Sequence, residues 1–183
     1  MEPCDPKRDV KQRRSNIILI GMPGSGKSTV GVILAKQSGR DFIDTDVIIQ
    51  TMQGRSLQEI VDLDGYMALR RIEEEVLLKL KLCNHVIATG GSAVYSDSAI
   101  RHLKSDGIVI FLDVELPALM SRVQNFWTRG LARSPGQEFG DLYEERLPLY
   151  IKYADIVIKC GDLSHEGVCA KLIERLGETS GKM

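Results

Sequence analysis

Short apolar runs alternate along this chain with stretches in which apolar residues recur at helical spacing. Asn16–Ile20 reads as a buried strand that stops at Gly21. Residues 27–37 read as a helix with Val30, Ile33 and Leu34 on one face and Gly39 as its stop. Asp41–Asp44 is a second short strand, followed by a helical segment at 46–51. Ser56, Leu57, Gln58 and Glu59 have capping-box spacing and predict the start of a short helix. Residues 65–82 predict one long helix carrying Ile72, Val76, Leu77 and Leu80. His85–Ala88 is a third strand that runs into Gly90-Gly91. A helix at 96–104 precedes the most apolar strand, 107–112, and Pro117 marks the first turn of a helix ending near 124. Residues 125–140 break the pattern. A helix at 141–153 should be kinked or interrupted by Pro148, Ile156–Lys159 is a fifth strand, and 166–176 closes the chain as a helix.

Short buried strands separated by helices imply a parallel sheet covered by helices on both faces, an α/β fold. The 183 residues suit a single domain at about 16–176, with tails at 1–15 and 177–183. The polar, glycine-bearing stretch at about 125–140 reads as a mobile lid, since loops beyond about twelve residues are uncommon unless they are functional or disordered. Trp127, the single tryptophan, lies in it and suits either a ligand contact or a lid anchor packed on the body.

Net charge is −1, so no general field draws the chain to nucleic acid or an anionic membrane, and anions must be bound locally. Cys4, Cys83, Cys160 and Cys169 form no C-x-x-C pair and suggest reduced thiols rather than zinc ligands. With no apolar segment of signal-peptide or transmembrane length, a cytoplasmic protein is expected; a monomer is expected as well.

Gly21-Met22-Pro23-Gly24-Ser25-Gly26-Lys27-Ser28 fits G-x-x-x-x-G-K-[ST], between an apolar strand and an amphipathic helix. Glycines let successive N–H groups turn inward as an anion nest, and the helix N-terminus adds its dipole. Gly24, Ser25, Gly26, Lys27, Ser28 and Thr29 are therefore the expected ATP-binding residues. Lys27 is expected to reach the β/γ-phosphates and Ser28 to bind Mg²⁺. Small-molecule kinase, switch GTPase and ATP-binding interaction module all use such a loop. The chain lacks an Asn-Lys-x-Asp guanine reader, which argues against the GTPase. Asp44-Thr45-Asp46 at a strand end suits two readings: an N-cap for the next helix, or a pair of carboxylates facing a metal and an acceptor hydroxyl. Arg70, four residues before Glu74, has ordinary helical ion-pair spacing but could also grip a carboxylate.

Beyond the loop, the segments 42–46, 54–56, 69–75, 88–94 and 145–150 resemble the shikimate kinase family in order and spacing, over about residues 16–176. The resemblance implies a P-loop fold with strand order 2-3-1-4-5 and ATP-dependent phosphorylation of the shikimate 3-hydroxyl, in the pathway to chorismate. It assigns Ser28 and Asp44 to Mg²⁺ and Asp46 to the acceptor hydroxyl. Arg70, Arg146, Gly90 and Gly91 go to the small anionic acceptor, Arg129 to the phosphates as a lid arginine, and Arg122 to the adenine. The chain departs from the family pattern at Ser92 for a third glycine, at Gly130-Leu131-Ala132 for Pro-Leu-Leu, and at Val61 and Leu69 for aromatic residues. These changes keep a kinase for another hydroxy acid open as an alternative. A nucleotide-binding domain without catalysis is a second one.

Overall fold

The computed structural model describes residues 15–122 and 130–180. Its elements are β1 (Asn16–Ile20), α1 (Lys27–Ser38), β2 (Asp41–Asp44), α2 (Thr45–Gln53), α3 (Leu57–Asp64), α4 (Tyr66–Lys79) and β3 (His85–Ala88). After these come a 3₁₀ turn (Ala93–Tyr95), α5 (Asp97–Ser105), β4 (Gly107–Asp113), α6 (Leu116–Arg122), α7 (Phe139–Tyr153), β5 (Ile156–Lys159) and α8 (His165–Ser180). All strand pairs are parallel, in the order β2-β3-β1-β4-β5. Every residue of the central strand β1 is buried, as a strand covered on both faces must be. No helix among the described residues is long and apolar enough to cross a membrane.

Two hydrophobic clusters divide the molecule. The larger joins the sheet to the helices around it. The smaller consists of Ile49, Ile60, Leu69, Val76 and Ala132, and it ties α2, α3 and α4 to the segment that follows residue 129. Ser56 caps α3 through the expected box with Glu59.

Three elements differ from the pattern-based expectation. The long helix expected at 65–82 is the single helix α4, and it stops earlier, at Lys79. Gly65, at φ 84°, breaks the chain between α3 and α4, a conformation that costs a glycine little. Pro148 does not interrupt α7. The buried stripe Phe139, Leu142, Arg146, Tyr150 and Tyr153 lies along one face and holds the helix through the missing hydrogen bond. At the C-terminus α8 runs on to Ser180, past the expected end at 176.

Asn16 locks β1 to its neighbours from the side. Its Nδ2 donates to the Leu82 carbonyl at 2.6 Å, and its Oδ1 accepts the His85 N–H at 2.9 Å. Asn16→Ala leaves both backbone groups unpaired and is expected to cost about 1–3 kcal/mol, read by denaturant unfolding; no measurable loss would mean the amide is dispensable.

Candidate active site

The loop at 21–28 turns on glycines at positive φ: Gly21 at 146°, Gly24 at 84° and Gly26 at 92°. Gly26 is the N-cap of α1 and provides no side-chain cap, which leaves the first-turn N–H groups available to an anion. Lys27 is buried and bends back over the loop, donating from Nζ to the carbonyls of Gly21 (2.8 Å) and Met22 (2.9 Å). Burial lowers its pKa to about 8, against the pull of Asp46 and Asp44.

At the end of β2 the N-cap reading of the paired carboxylates holds, and the same carboxylate also meets the phosphate loop. Asp44 is the N-cap of α2, its Oδ1 accepting the Asp46 N–H at 3.0 Å, and its Oδ2 accepts the Ser28 hydroxyl at 2.6 Å. The cap therefore sets the carboxylate against the phosphate loop. Asp46, in the first turn of α2, faces the adjoining cavity.

That cavity holds about 340 Å³ and runs from Gly24, Gly26, Lys27, Ser28 and Thr29 to Asp46, Glu73, Gly90, Gly91 and Arg146. A volume of this order suits a small ligand. Gly90 and Gly91 form part of the wall because nothing larger fits. A Cβ on Gly90 would run into Glu73 Oε1 and Asp46 Oδ1, and one on Gly91 would lie 2.8 Å from Arg146 Nη1. Their backbones are already engaged: the Gly90 N–H donates to Thr45 Oγ1 at 3.1 Å, and the Gly91 carbonyl accepts the Tyr150 hydroxyl at 2.7 Å.

The two arginines meet on one atom. Arg146, 1% exposed, donates from Nη2 to the Ala132 carbonyl at 2.9 Å, and Arg70 donates from Nη2 to the same oxygen at 3.3 Å. Arg70 does not pair with Glu74. It reaches Glu145 at 3.7 Å, while Glu74 accepts the hydroxyls of Ser96 and Ser98. Of the two readings left open for Arg70, the ion pair at helical spacing is not formed, because tertiary contacts override it.

Ala132 is placed by its neighbour Gly130, at φ 61° against the backbone of Leu57 and Gln58, with its N–H donated to Gln58 Oε1 at 2.6 Å. Proline, the family's residue there, has neither that φ nor an N–H, so the departure at Gly130 is what permits this docking. Of the two positions expected to resize the pocket, Leu69 lines the main cavity and Val61 a neighbouring one. Arg122, exposed at the end of α6, lines both the main cavity and an adjoining one of about 300 Å³ that also contains His165. Arg129 and Trp127 lie outside the described residues.

Sequence reasoning missed Glu73. It is buried, its Oε2 accepts the Ser92 hydroxyl, and its Oε1 has no hydrogen-bond partner among the described residues. Burial, then the charge of Asp46, raises its pKa to about 7, opposed by Ser92, Arg146 and Lys27. Its place three residues after Arg70, on the same face of α4, was a legible signal.

The model of the shikimate kinase family matches residues 23–177. A shikimate kinase of Thiobacillus denitrificans is 35% identical over 173 residues, 93% of this chain and 94% of its own length. Among solved structures, shikimate kinase from Acinetobacter baumannii in complex with shikimate has a TM-score of 0.84 at 30% identity, covering 92% of this chain and 96% of that one. Shikimate kinase from Aquifex aeolicus has a TM-score of 0.76 at 33% identity, covering 90% and 98%.

Glu73 gives the fold a pH dependence of known sign. Its folded pKa of about 7 lies above the ordinary 4.5, so between these values the folded state holds a proton that the unfolded chain has released. Stability therefore falls as pH rises through that window. Glu73→Gln removes the titration, and its melting temperature relative to the parent should climb between about pH 5 and pH 8. A constant difference across that range would mean an unperturbed carboxylate.

Proposed function

The chain belongs to the shikimate kinase family, and on that premise we propose that it transfers the γ-phosphoryl group of ATP to the 3-hydroxyl of shikimate, giving shikimate 3-phosphate on the way to chorismate. The observation that carries this reading is one continuous cavity with the phosphate loop at one end and the Arg146 guanidinium at the other. ATP phosphates on the nest at 24–29 would draw the Lys27 ammonium off the Gly21 and Met22 carbonyls. At the far end Arg146 and Arg70 offer guanidinium donors to the shikimate carboxylate at the point now occupied by the Ala132 carbonyl. Gly90 and Gly91 leave room for the ring. The acceptor oxygen attacks the γ-phosphorus, the bond to the ADP oxygen breaks, and Asp46 takes up the hydroxyl proton.

Lys27 balances charge on the transferred group, and the family resemblance gives Arg129 the same task from the lid. Arg122, with His165 across the adjoining cavity, borders the space we assign to the adenine.

The Ser28 hydroxyl and Asp44 carboxylate fit Mg²⁺. They are adjacent hard oxygens on the loop, and this ion characteristically takes one or two protein oxygens with phosphate and water as the rest. Bound with ATP, Mg²⁺ neutralises phosphate charge. We place the enzyme in the cytoplasm, consistent with the free thiols of Cys160 and Cys169, and read it as a monomer.

The test is an ADP-release assay across shikimate and a panel of other hydroxy acids. Shikimate is expected to be turned over, and Lys27→Ala to cut kcat by about 100-fold or more. Asp46→Asn should lower kcat while sparing the KM for ATP. Turnover of another acid with none of shikimate would overturn the acceptor assignment. ATP binding without turnover of any acid would overturn the kinase reading.

A further inference from the structure

Tyr95 belongs to none of the segments that mark the nucleotide or acceptor sites, yet it touches both acceptor-side arginines. It ends the 3₁₀ turn Ala93–Tyr95, and its N–H donates to the Ser92 carbonyl at 3.0 Å. Three residues make one turn of such a helix, so Ser92 and Tyr95 share a side. Ala93 and Val94 are buried and anchor the turn. From this anchorage the Tyr95 ring lies 3.5 Å from the Arg70 guanidinium carbon and 5.3 Å from that of Arg146. The Tyr66 ring adds a second aromatic neighbour to Arg70, at 5.2 Å.

The phenolic hydroxyl completes the arrangement. It accepts from Arg146 Nε at 3.2 Å and donates to Glu145 Oε1 at 2.5 Å, so its single proton and its acceptor capacity are both used consistently. The same Glu145 oxygen faces Arg70 at 3.7 Å. That hydrogen bond from Tyr95 is the main cause that holds the Glu145 carboxyl below its usual range. Two guanidinium groups converging on one oxygen repel each other, and each has many rotamers. An electron-rich ring face against one and a phenolic oxygen on the other fix both and offset the repulsion.

We infer that Tyr95 is a positioning residue for the acceptor carboxylate, holding Arg70 and Arg146 in the convergent pose that binds it. This rests on the assignment of the arginines to the acceptor under the proposed function. A residue that only filled space would affect both substrates alike; one that orders these two cations acts on the acid alone.

Two variants separate these roles. Tyr95→Phe keeps the ring over Arg70 and removes the hydroxyl, and Tyr95→Leu removes both. The readouts are KM for shikimate, KM for ATP, and KM for shikimate methyl ester, which has no carboxylate. Loss of a cation–π contact and a charge-assisted hydrogen bond should raise the shikimate KM about 10-fold in Tyr95→Leu. Loss of the hydrogen bond alone should raise it about 3-fold in Tyr95→Phe. KM for ATP and for the ester should stay within about twofold of the parent, since neither presents the carboxylate that the arginines grip. An unchanged shikimate KM, or a rise matched for ATP or the ester, would overturn the inference. If Tyr95→Leu fails to fold, Tyr95→Phe decides by the same criteria. Failure of the parent enzyme to use shikimate would count against the proposed function. In that case Tyr95 is tested with whichever acid the parent accepts and that acid's ester.

Discussion

Two cations are held out of water at the centre of this protein, and the site is organised around that fact. Lys27 is 8% exposed and Arg146 1%. Each directs N–H groups at oxygens without formal charge: Lys27 at the Gly21 and Met22 carbonyls, Arg146 at the Ala132 carbonyl and the Tyr95 hydroxyl. Such burial costs several kcal/mol per ion when no opposite charge compensates. The depressed pKa of Lys27, about 8, registers that cost. Asp44, Asp46 and Glu73 offset the cost only in part for Lys27, and ATP and a carboxylate-bearing acceptor would add the anions that a cavity with a cation at each end favours.

The cations can be maintained because the scaffold around each is rigid in a different way. Lys27 stands on the fully buried strand β1 through a loop whose positive-φ turns glycine can adopt without strain. Arg146 lies on the buried stripe of α7, with Tyr150 one turn on and bonded to the Gly91 carbonyl. The acceptor end has its own small core, and Ala132 is a member of it. The carbonyl that both arginines hold is therefore not a loose surface atom. It belongs to a segment fixed by Gly130 on Gln58 and by the packing of its own side chain. On the proposed function, an acceptor carboxylate held by these arginines would share or displace that oxygen, which would tie recognition of the acid to the position of the segment after residue 129.

What could be read from the sequence follows from how local each feature is. The phosphate loop is contiguous, and its chemistry lies in backbone turns that glycine spacing reveals. The cap at Ser56 was legible for a similar reason, whereas the strand order came only from the family resemblance. Asp44 was legible but ambiguous, and it proved to be a cap and the partner of Ser28 at once. The contact of Arg70 with Glu145 was not legible, because Glu145 reaches it only through the tertiary fold. Tyr95 was missed for the same reason, since its contacts with Arg70, Glu145 and Arg146 join three separate elements. Glu73 could have been noticed from its spacing. Its raised pKa could not, because that comes from burial beside Asp46. The persistence of α7 through Pro148 likewise depends on packing that local propensity does not encode.

The most direct test of the idea that the two guanidinium groups await a carboxylate is a calorimetric titration of the unmodified protein with shikimate and, separately, with its methyl ester. Shikimate should bind with the ester at least about 10-fold weaker, the loss expected when a charge-assisted pair of hydrogen bonds is removed. Equal affinities for acid and ester would show that Arg70 and Arg146 are not where the acceptor is recognised.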